Sequence, residues 1–364
     1  MAKKETIKIG IIGAGFARST QIPGFVYCTG ARVQAIASAH REHAESVARE
    51  FGIEHVADDW REIIASKEID LVSIVTPPSL HMEMALAALD AGKAVLCEKP
   101  MAMNADEADR MRRAAREKGA FALIDHELRF LAGRRRMREL LRRGEIGRVL
   151  HAKHIFRTDS RADPERPWDW WSDEGAGGGA LGAIGSHAID AFRWLLGSEV
   201  SQVFCHLSTH FRERTKRETG ERLPVTTDDE ANLLLRFNDS ELVQSATATA
   251  SMSMVESGGV ENTLQVFGTN GALMVERDGQ LFQSSASEGV WRQVETDSGE
   301  LAPGMIEGGW SRGFTAFAQL IIRALQEGHS TVEDAATFED GYRIQLVLDA
   351  ARRSHKSGCW SSIG

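Results

Sequence analysis

Long apolar runs are missing from this chain of 364 residues: no stretch approaches the roughly 18 consecutive apolar residues that cross a bilayer. The opening "MAKKETIKIG" also lacks the apolar core of a secretory signal, so the expectation is a cytoplasmic protein with no membrane partner. Cysteine is scarce. Cys28, Cys97, Cys205 and Cys359 stand far apart, without the paired spacings of a zinc site or a disulfide framework, so no metal is assigned and the four are expected to be reduced and structural. An excess of positive charge is missing too. Against 52 acidic residues there are 43 Lys and Arg, a net charge of −9, which argues against a general nucleic-acid binder. One basic cluster, Arg134 to Arg136 in "GRRRMRELLRR", reads as a solvated helix face. Neither a fixed-period repeat nor a low-complexity tract is present.

Apolar residues at 42% and charged residues at 26% are ordinary for a globular protein, and the length is too great for one core, so two domains are expected. Over residues 1–128 short apolar runs ("IKIGII", "RVQAIA", "LVSIVT", "AVLCE", "AFALID") alternate with amphipathic stretches such as "REHAESVAREFG" and "SLHMEMALAALDAG". That alternation predicts an α/β domain, a parallel sheet with helices on both faces. Over 129–364 the pattern changes to strand after strand ("RVLHAKHIFR", "SQVFCHLSTHF", "EANLLLRF", "LVQSATATAS", "TLQVFGT"). Helical periodicity returns late, in "GFTAFAQLIIRALQEG" and "ATFEDGYRIQLVLDAARRS". The second domain is therefore expected to be α+β with a large, mostly antiparallel sheet. The stretch "RERTKRETGERLPVTTDD" is the most polar and reads as a surface excursion.

The first strand ends in Gly13 and Gly15, with Phe16 and Ala17 opening a helix. The first glycine permits a tight turn, and the second lets backbone N–H groups approach a pyrophosphate at a positive helix N-terminus, so a dinucleotide site is expected here. The third glycine of G-x-G-x-x-G would fall on Arg18, which either points outward or reflects a differently started helix. The second strand ends without the acid that holds the ribose hydroxyls of NAD. It carries Ser38, with His40 and Arg41 beyond, a slight lean toward a 2′-phosphate and NADP over NAD.

A third feature is "LCEKPMAMN", which places Glu98 and Lys99 directly behind an apolar run, with Pro100 stiffening the next bond. Together with "GIIGAGF", "VSIVTPPSLHMEMALAALDAGKAVLCEKPMA" and "GGGALGAIGSHAIDAFRWLLG", this resembles the glucose-fructose oxidoreductase, inositol dehydrogenase and rhizopine catabolism protein (Gfo/Idh/MocA) family, over nearly the whole chain. The resemblance implies a Rossmann domain, a C-terminal domain with an open sheet, and hydride transfer between a nicotinamide and a sugar or polyol carbon. It also implies a homodimer or homotetramer joined through that sheet. Oxidising a secondary alcohol requires a group that takes the hydroxyl proton as hydride leaves the same carbon. By resemblance Lys99 touches nicotinamide ribose and substrate hydroxyl, and Glu98 orients it or holds the ribose.

His187 in "GAIGSHAID" is the second candidate for the proton, behind "GAGGGALG", a run expected to be flexible. A frequent family form has Asp four residues earlier as its partner. Here that residue is Ala183, and Asp190 is the nearest acid downstream. The alternatives are that His187 works without the dyad, that Lys99 takes the proton, or that the chemistry is redox-neutral through a keto-sugar. A non-catalytic cofactor-binding regulator is the reading from another class. Thr76 and Pro77 flank the cofactor by resemblance, and His81 follows them. Arg129 either binds substrate or braces the domains. Trp168, Trp170 and Trp171 can stack on a sugar ring with Asp169 accepting a hydroxyl, or can pack the loop. The pairs His151 with His154 and His206 with His210 lack convincing metal spacing.

Overall fold

A computed structural model describes residues 4–364. The first of two compact units comprises the chain through Leu131 together with Gly299–Tyr342, and the second comprises Ala132–Ser298 with Arg343–Gly364.

In the first unit the chain runs β1 (Ile7–Ile12), α1 (Ile22–Tyr27), β2 (Ala31–Ala37), α2 (Arg41–Phe51), β3 (His55–Ala57) and α3 (Trp60–Ala65). It continues as β4 (Leu71–Ile74), α4 (His81–Asp90), β5 (Ala94–Cys97), α5 (Ala105–Glu117) and β6 (Ala122–Ile124). The six strands form one parallel sheet in the order β3-β2-β1-β4-β5-β6, the doubly wound Rossmann arrangement whose order reverses between β1 and β4. Side chains alternate across it. Ile9, Ile11, Leu71 and Leu96 enter one core with Phe25 and Val47, while Ile12, Val72, Ile74 and Val95 enter the other with Ile63, Met84 and Met111.

The second unit begins with α6 (Ala132–Arg142), β7 (Val149–Arg157) and α7 (Ser186–Leu196), then β8 (Val200–Ser208) and the short hairpin β9 (Glu213–Thr215) and β10 (Arg222–Pro224). The strands β11 (Glu230–Phe237), β12 (Val243–Ser253), β13 (Glu261–Gly268), β14 (Gly271–Val275), β15 (Leu281–Ser285) and β16 (Arg292–Val294) follow. After α8 (Gly309–Glu327) and α9 (Phe338–Ser357) the chain ends on β17 (Ser361–Ser362). The large sheet has nine strands in the order β16-β15-β14-β13-β7-β12-β11-β8-β17, antiparallel except for the β7–β12 pair.

Three expectations need correction. Residues 299–342 were assigned with the second domain by a single cut at 128, yet α8 completes the first unit: Phe314, Phe317 and Ile321 are fully buried in the core formed with Ile9, Ile11 and Phe25. Each such side chain contributes roughly 1.5–3 kcal/mol of burial, which fixes where that helix belongs. Phe130 stacks on Phe317 at 4.4 Å between ring centroids, and Phe25 meets Phe314 edge-on at 5.4 Å. Second, the basic run on α6 is not wholly solvated. Arg134 is buried beside Met137 and Leu141, and Arg138 lies over the Trp194 ring at 4.6 Å. Third, the polar stretch is not a plain excursion, because it forms β9 and β10 and buries Arg214, Thr227 and Asp229.

Candidate active site

The parallel register decides what stands at the carboxyl edge of the first sheet. Ile12 pairs with Ala37 and Ile74, Ile74 with Cys97, and Cys97 with Ile124. One residue beyond that row come Gly13, Ser38, Val75, Glu98 and Asp125, so the glycine turn and the Glu98-Lys99 pair share one edge. Ligands of open α/β sheets bind at such an edge, where the strand order reverses.

Gly13 has φ +108°, and a Cβ there would overlap the Val75 carbonyl oxygen, so the protein itself requires glycine. At Gly15 a Cβ would meet nothing within 4 Å of the chain. No neighbour within the protein demands glycine there, whereas a group laid against the helix start does, and the cradle therefore fits a dinucleotide pyrophosphate. Phe16 is exposed and Ala17 is fully buried, so Ala17 supplies the small packing residue. Arg18 points outward and pairs with Glu50 at 2.7 Å, which resolves the missing third glycine. The helix enters through a π turn over Ala17–Gln21, a wide turn of the kind concentrated at functional sites.

That π turn delivers Gln21, a residue the sequence gave no reason to single out. Its buried Nε2 donates to Glu98 Oε1 at 2.9 Å and to Asp125 Oδ2 at 2.7 Å, and its Oε1 accepts from the Ser73 hydroxyl. Glu98 Oε2 accepts the Lys99 backbone N–H at 3.2 Å. Burial pushes the Glu98 carboxyl up, against the pull of Lys99, and burial next to Glu98 pushes Asp125 well above the ordinary range. Lys99 is half-buried at this edge, and the Lys99-Pro100 bond is cis.

His81 opens α4 with its ring wholly buried, Nε2 2.8 Å from the Thr76 carbonyl and Nδ1 3.1 Å from that of Pro100. Burial lowers its pKa against the pull of these carbonyls, and the ring lies between the Thr76-Pro77 turn and the Pro100 turn. Thr76 and Pro77 are half-buried at the end of β4. Arg41 is held by Glu45 at 2.8 Å and by Asp58, so two carboxylates balance the charge that suggested a 2′-phosphate. His40 is exposed beside His43, and Ser38 is half-buried. Arg129 is buried, with Nη1 donating to the Asp334 carbonyl at 3.1 Å and Nη2 3.3 Å from Asp340 Oδ1. It ties residues 334–340 to the turn after β6.

In the second unit His187 and Asp190 are both buried on α7, which grows from a π turn over Leu181–Gly185. The glycines before it are close-packed where flexibility was expected. A Cβ on Gly178 would overlap the Trp171 carbonyl, and one on Gly179, at φ +106°, would come within 2.5 Å of Asp228 Oδ1. Half-buried Asp228 accepts the Leu181 N–H at 2.7 Å, and the desolvation of its carboxyl raises its pKa to about 6.

The tryptophan loop is packed by arginines. Arg161 lies over Trp171 at 4.4 Å and donates to Asp169 at 2.9 and 3.3 Å and to Ser172 at 3.1 Å. Asp169 is thereby engaged inside the loop. Trp168 donates to the Pro224 carbonyl at 3.1 Å, and Trp170 is the exposed member of the three. His151 Nδ1 lies 2.8 Å from Thr247 Oγ1 and His154 Nε2 3.1 Å from Asn262 Oδ1, ordinary partners for strand histidines.

A Rossmann sheet with an open glycine cradle defines a dinucleotide-binding domain, and comparison with known proteins makes it that of an NAD-binding oxidoreductase. Residues 7–126 match the model described as "Oxidoreductase family, NAD-binding Rossmann fold", and residues 134–274 match the "GFO/IDH/MocA C-terminal domain". The chain belongs to the Gfo/Idh/MocA family. It is 34% identical to an uncharacterized oxidoreductase of Synechocystis sp., over 100% of this chain and 98% of the relative. It is 32% identical to levoglucosan dehydrogenase of Pseudarthrobacter phenanthrenivorans, over 99% and 98%. Among solved structures, levoglucosan dehydrogenase in complex with NADH and L-sorbose superposes with a TM-score of 0.87 at 29% identity, covering 99% of this chain and 100% of that one.

Proposed function

We propose that this chain is an NAD-dependent dehydrogenase that removes hydride from a secondary hydroxyl carbon of a sugar, cyclitol or glycoside, with Lys99 and His187 handling the proton. The observation that carries the reading is the shared sheet edge, with the open Gly15 cradle behind β1 and half-buried Lys99 behind β5. Strands lie about 4.8 Å apart, so the row from Ser38 behind β2 to Lys99 spans about 14 Å, the scale of a dinucleotide laid across strand ends. Gly13, Gly15, Phe16 and Ala17 receive the pyrophosphate, and Ser38, His40 and Arg41 border the adenosine ribose. Thr76, Pro77 and Glu98 border the nicotinamide half.

Bound NAD supplies the hydride acceptor. Lys99 hydrogen-bonds the reacting hydroxyl, holds it in register, and stabilises the oxygen as its proton departs. His187 offers an imidazole that accepts a proton without the carboxylate that Ala183 replaces. Trp170, the exposed tryptophan, offers a flat apolar surface to a sugar ring. The levoglucosan dehydrogenase relative puts anhydrosugars first among substrates. The large sheet presents a row running Phe204, Leu234, Thr249, Lys153, Gln265 and Met274, with Leu234 45% exposed, and this face is read as the contact between copies in a homo-oligomer.

The test is NADH absorbance on mixing the protein with NAD⁺ and a panel including levoglucosan, L-sorbose and inositol, alongside Lys99→Ala and His187→Ala. Reduction by wild type, falling about 10²–10⁴-fold in each variant while NADH still binds, is expected. Full activity in Lys99→Ala overturns its role. Sugar conversion without change in nicotinamide absorbance would replace net oxidation by redox-neutral chemistry.

A further inference from the structure

Beneath the Lys99 edge lie two buried carboxyl groups that share one amide nitrogen. Gln21 Nε2 is 2.9 Å from Glu98 Oε1 and 2.7 Å from Asp125 Oδ2, and the Ser73 hydroxyl meets the amide oxygen on the other side. Glu98 is 8% exposed and Asp125 fully buried, and no donor reaches Asp125 Oδ1. Two ionised carboxylates in such a place would repel each other with little water to screen them. The charged and titratable groups facing the pair are Lys99 and Cys97 on the strand carrying Glu98, and Glu127 beyond β6; the π turn contributes only neutral Gln21. Glu127 adds to the repulsion on Asp125, whose carboxyl is pushed well above the ordinary range.

We propose that Glu98 and Asp125 hold a single proton between them and that this singly charged pair, clamped by Gln21, sets the position of Lys99 for turnover. Asp125 and Gln21 are then positioning residues: neither touches the reacting atoms, and each acts through Glu98, whose second oxygen takes the Lys99 backbone N–H. One negative charge balances the ammonium. A second, created when Asp125 ionises at high pH, would drag Lys99 toward the pair and away from the substrate hydroxyl. The proposal rests on the dehydrogenase reading for its kinetic consequence, but not for the shared proton.

The decisive measurement is infrared difference spectroscopy of the protein without cofactor or substrate at pH 8, wild type against Asp125→Asn. At that pH the Asp228 carboxyl, at about 6, is ionised and silent. The carbonyl stretch of a protonated carboxylic acid is expected in wild type and not in the variant. The wild-type band must itself fade as pH rises further, a readout that needs no variant to fold. In kinetics, Asp125→Asn cannot ionise and should lose the high-pH fall, whereas Asp125→Ala and Gln21→Met should lower kcat about tenfold or more at neutral pH, with KM changing less. Absence of the band overturns the shared proton. A high-pH fall unchanged in Asp125→Asn, or full kcat in Gln21→Met, overturns the positioning role. Lack of turnover with every sugar would count against the dehydrogenase reading alone and leave the infrared result standing.

Discussion

Asp228 holds Leu181: its carboxylate oxygen takes the Leu181 N–H at 2.7 Å and so fastens the turn from which α7 and His187 rise. Burial raises this acid from 3.8 to about 6. Between those values the folded chain binds more protons than the unfolded one, so stability falls as pH climbs through the window and the full cost of the buried charge stands above it. Asp228→Asn keeps an oxygen for Leu181 and carries no charge. It should be more stable than wild type at pH 8, by up to about 3 kcal/mol, with the gap closing toward pH 4. Urea unfolding at both pH values measures this, and a gap that does not change with pH would show that Asp228 titrates normally.

Gly13 and Gly15 should separate stability from binding. Gly13→Ala forces a side chain into a positive-φ site and against the Val75 carbonyl, and should cost about 2–4 kcal/mol of unfolding free energy. Gly15→Ala meets no protein atom and should unfold like wild type, yet bind NADH at least about tenfold more weakly, since a methyl group would hold off the phosphates. Fluorescence titration with NADH reads the second effect. Unchanged NADH affinity in Gly15→Ala would remove the glycine cradle from the cofactor site.

These two cases show what the sequence carries and what it withholds. The six parallel strands were legible because each is a short apolar run followed by an amphipathic helix, and the edge row from Gly13 to Glu98 follows from their register. The placement of α8 was not. Its apolar stripe says that Phe314 and Phe317 are buried, but a stripe does not name its partner, and the partner proved to be the sheet some 300 residues earlier in sequence. Gln21 escaped because a glutamine in a helix carries no signal of its own; only the π turn, invisible in the residue pattern, aims it at Glu98 and Asp125. For Arg129 and Asp169 the residue pattern does not name the partners found within the chain: Asp334 lies 205 residues from Arg129, and Arg161 reaches Asp169 across the loop.

Arg214 is the last such residue, fully buried within the stretch that looked like solvent-facing excursion. Nη1 donates to the carbonyls of Asp163 at 2.8 Å and Arg166 at 3.3 Å, and Nη2 to that of Arg161 at 2.6 Å. The guanidinium thus pins the backbone of the loop whose Arg161 in turn holds Trp171 and Asp169. Arg214→Met keeps the length and apolar stem but strips three carbonyls of their donor in a place with little access to water. It should cost about 2–4 kcal/mol and hasten amide exchange across residues 159–172. Because the β9–β10 hairpin and the tryptophan loop belong to the second unit, NADH affinity should stay at the wild-type value while KM for the sugar rises. Equal losses in both would mean that the substitution unfolds more than the loop, and a loop with wild-type exchange would show that Arg161 suffices to hold it.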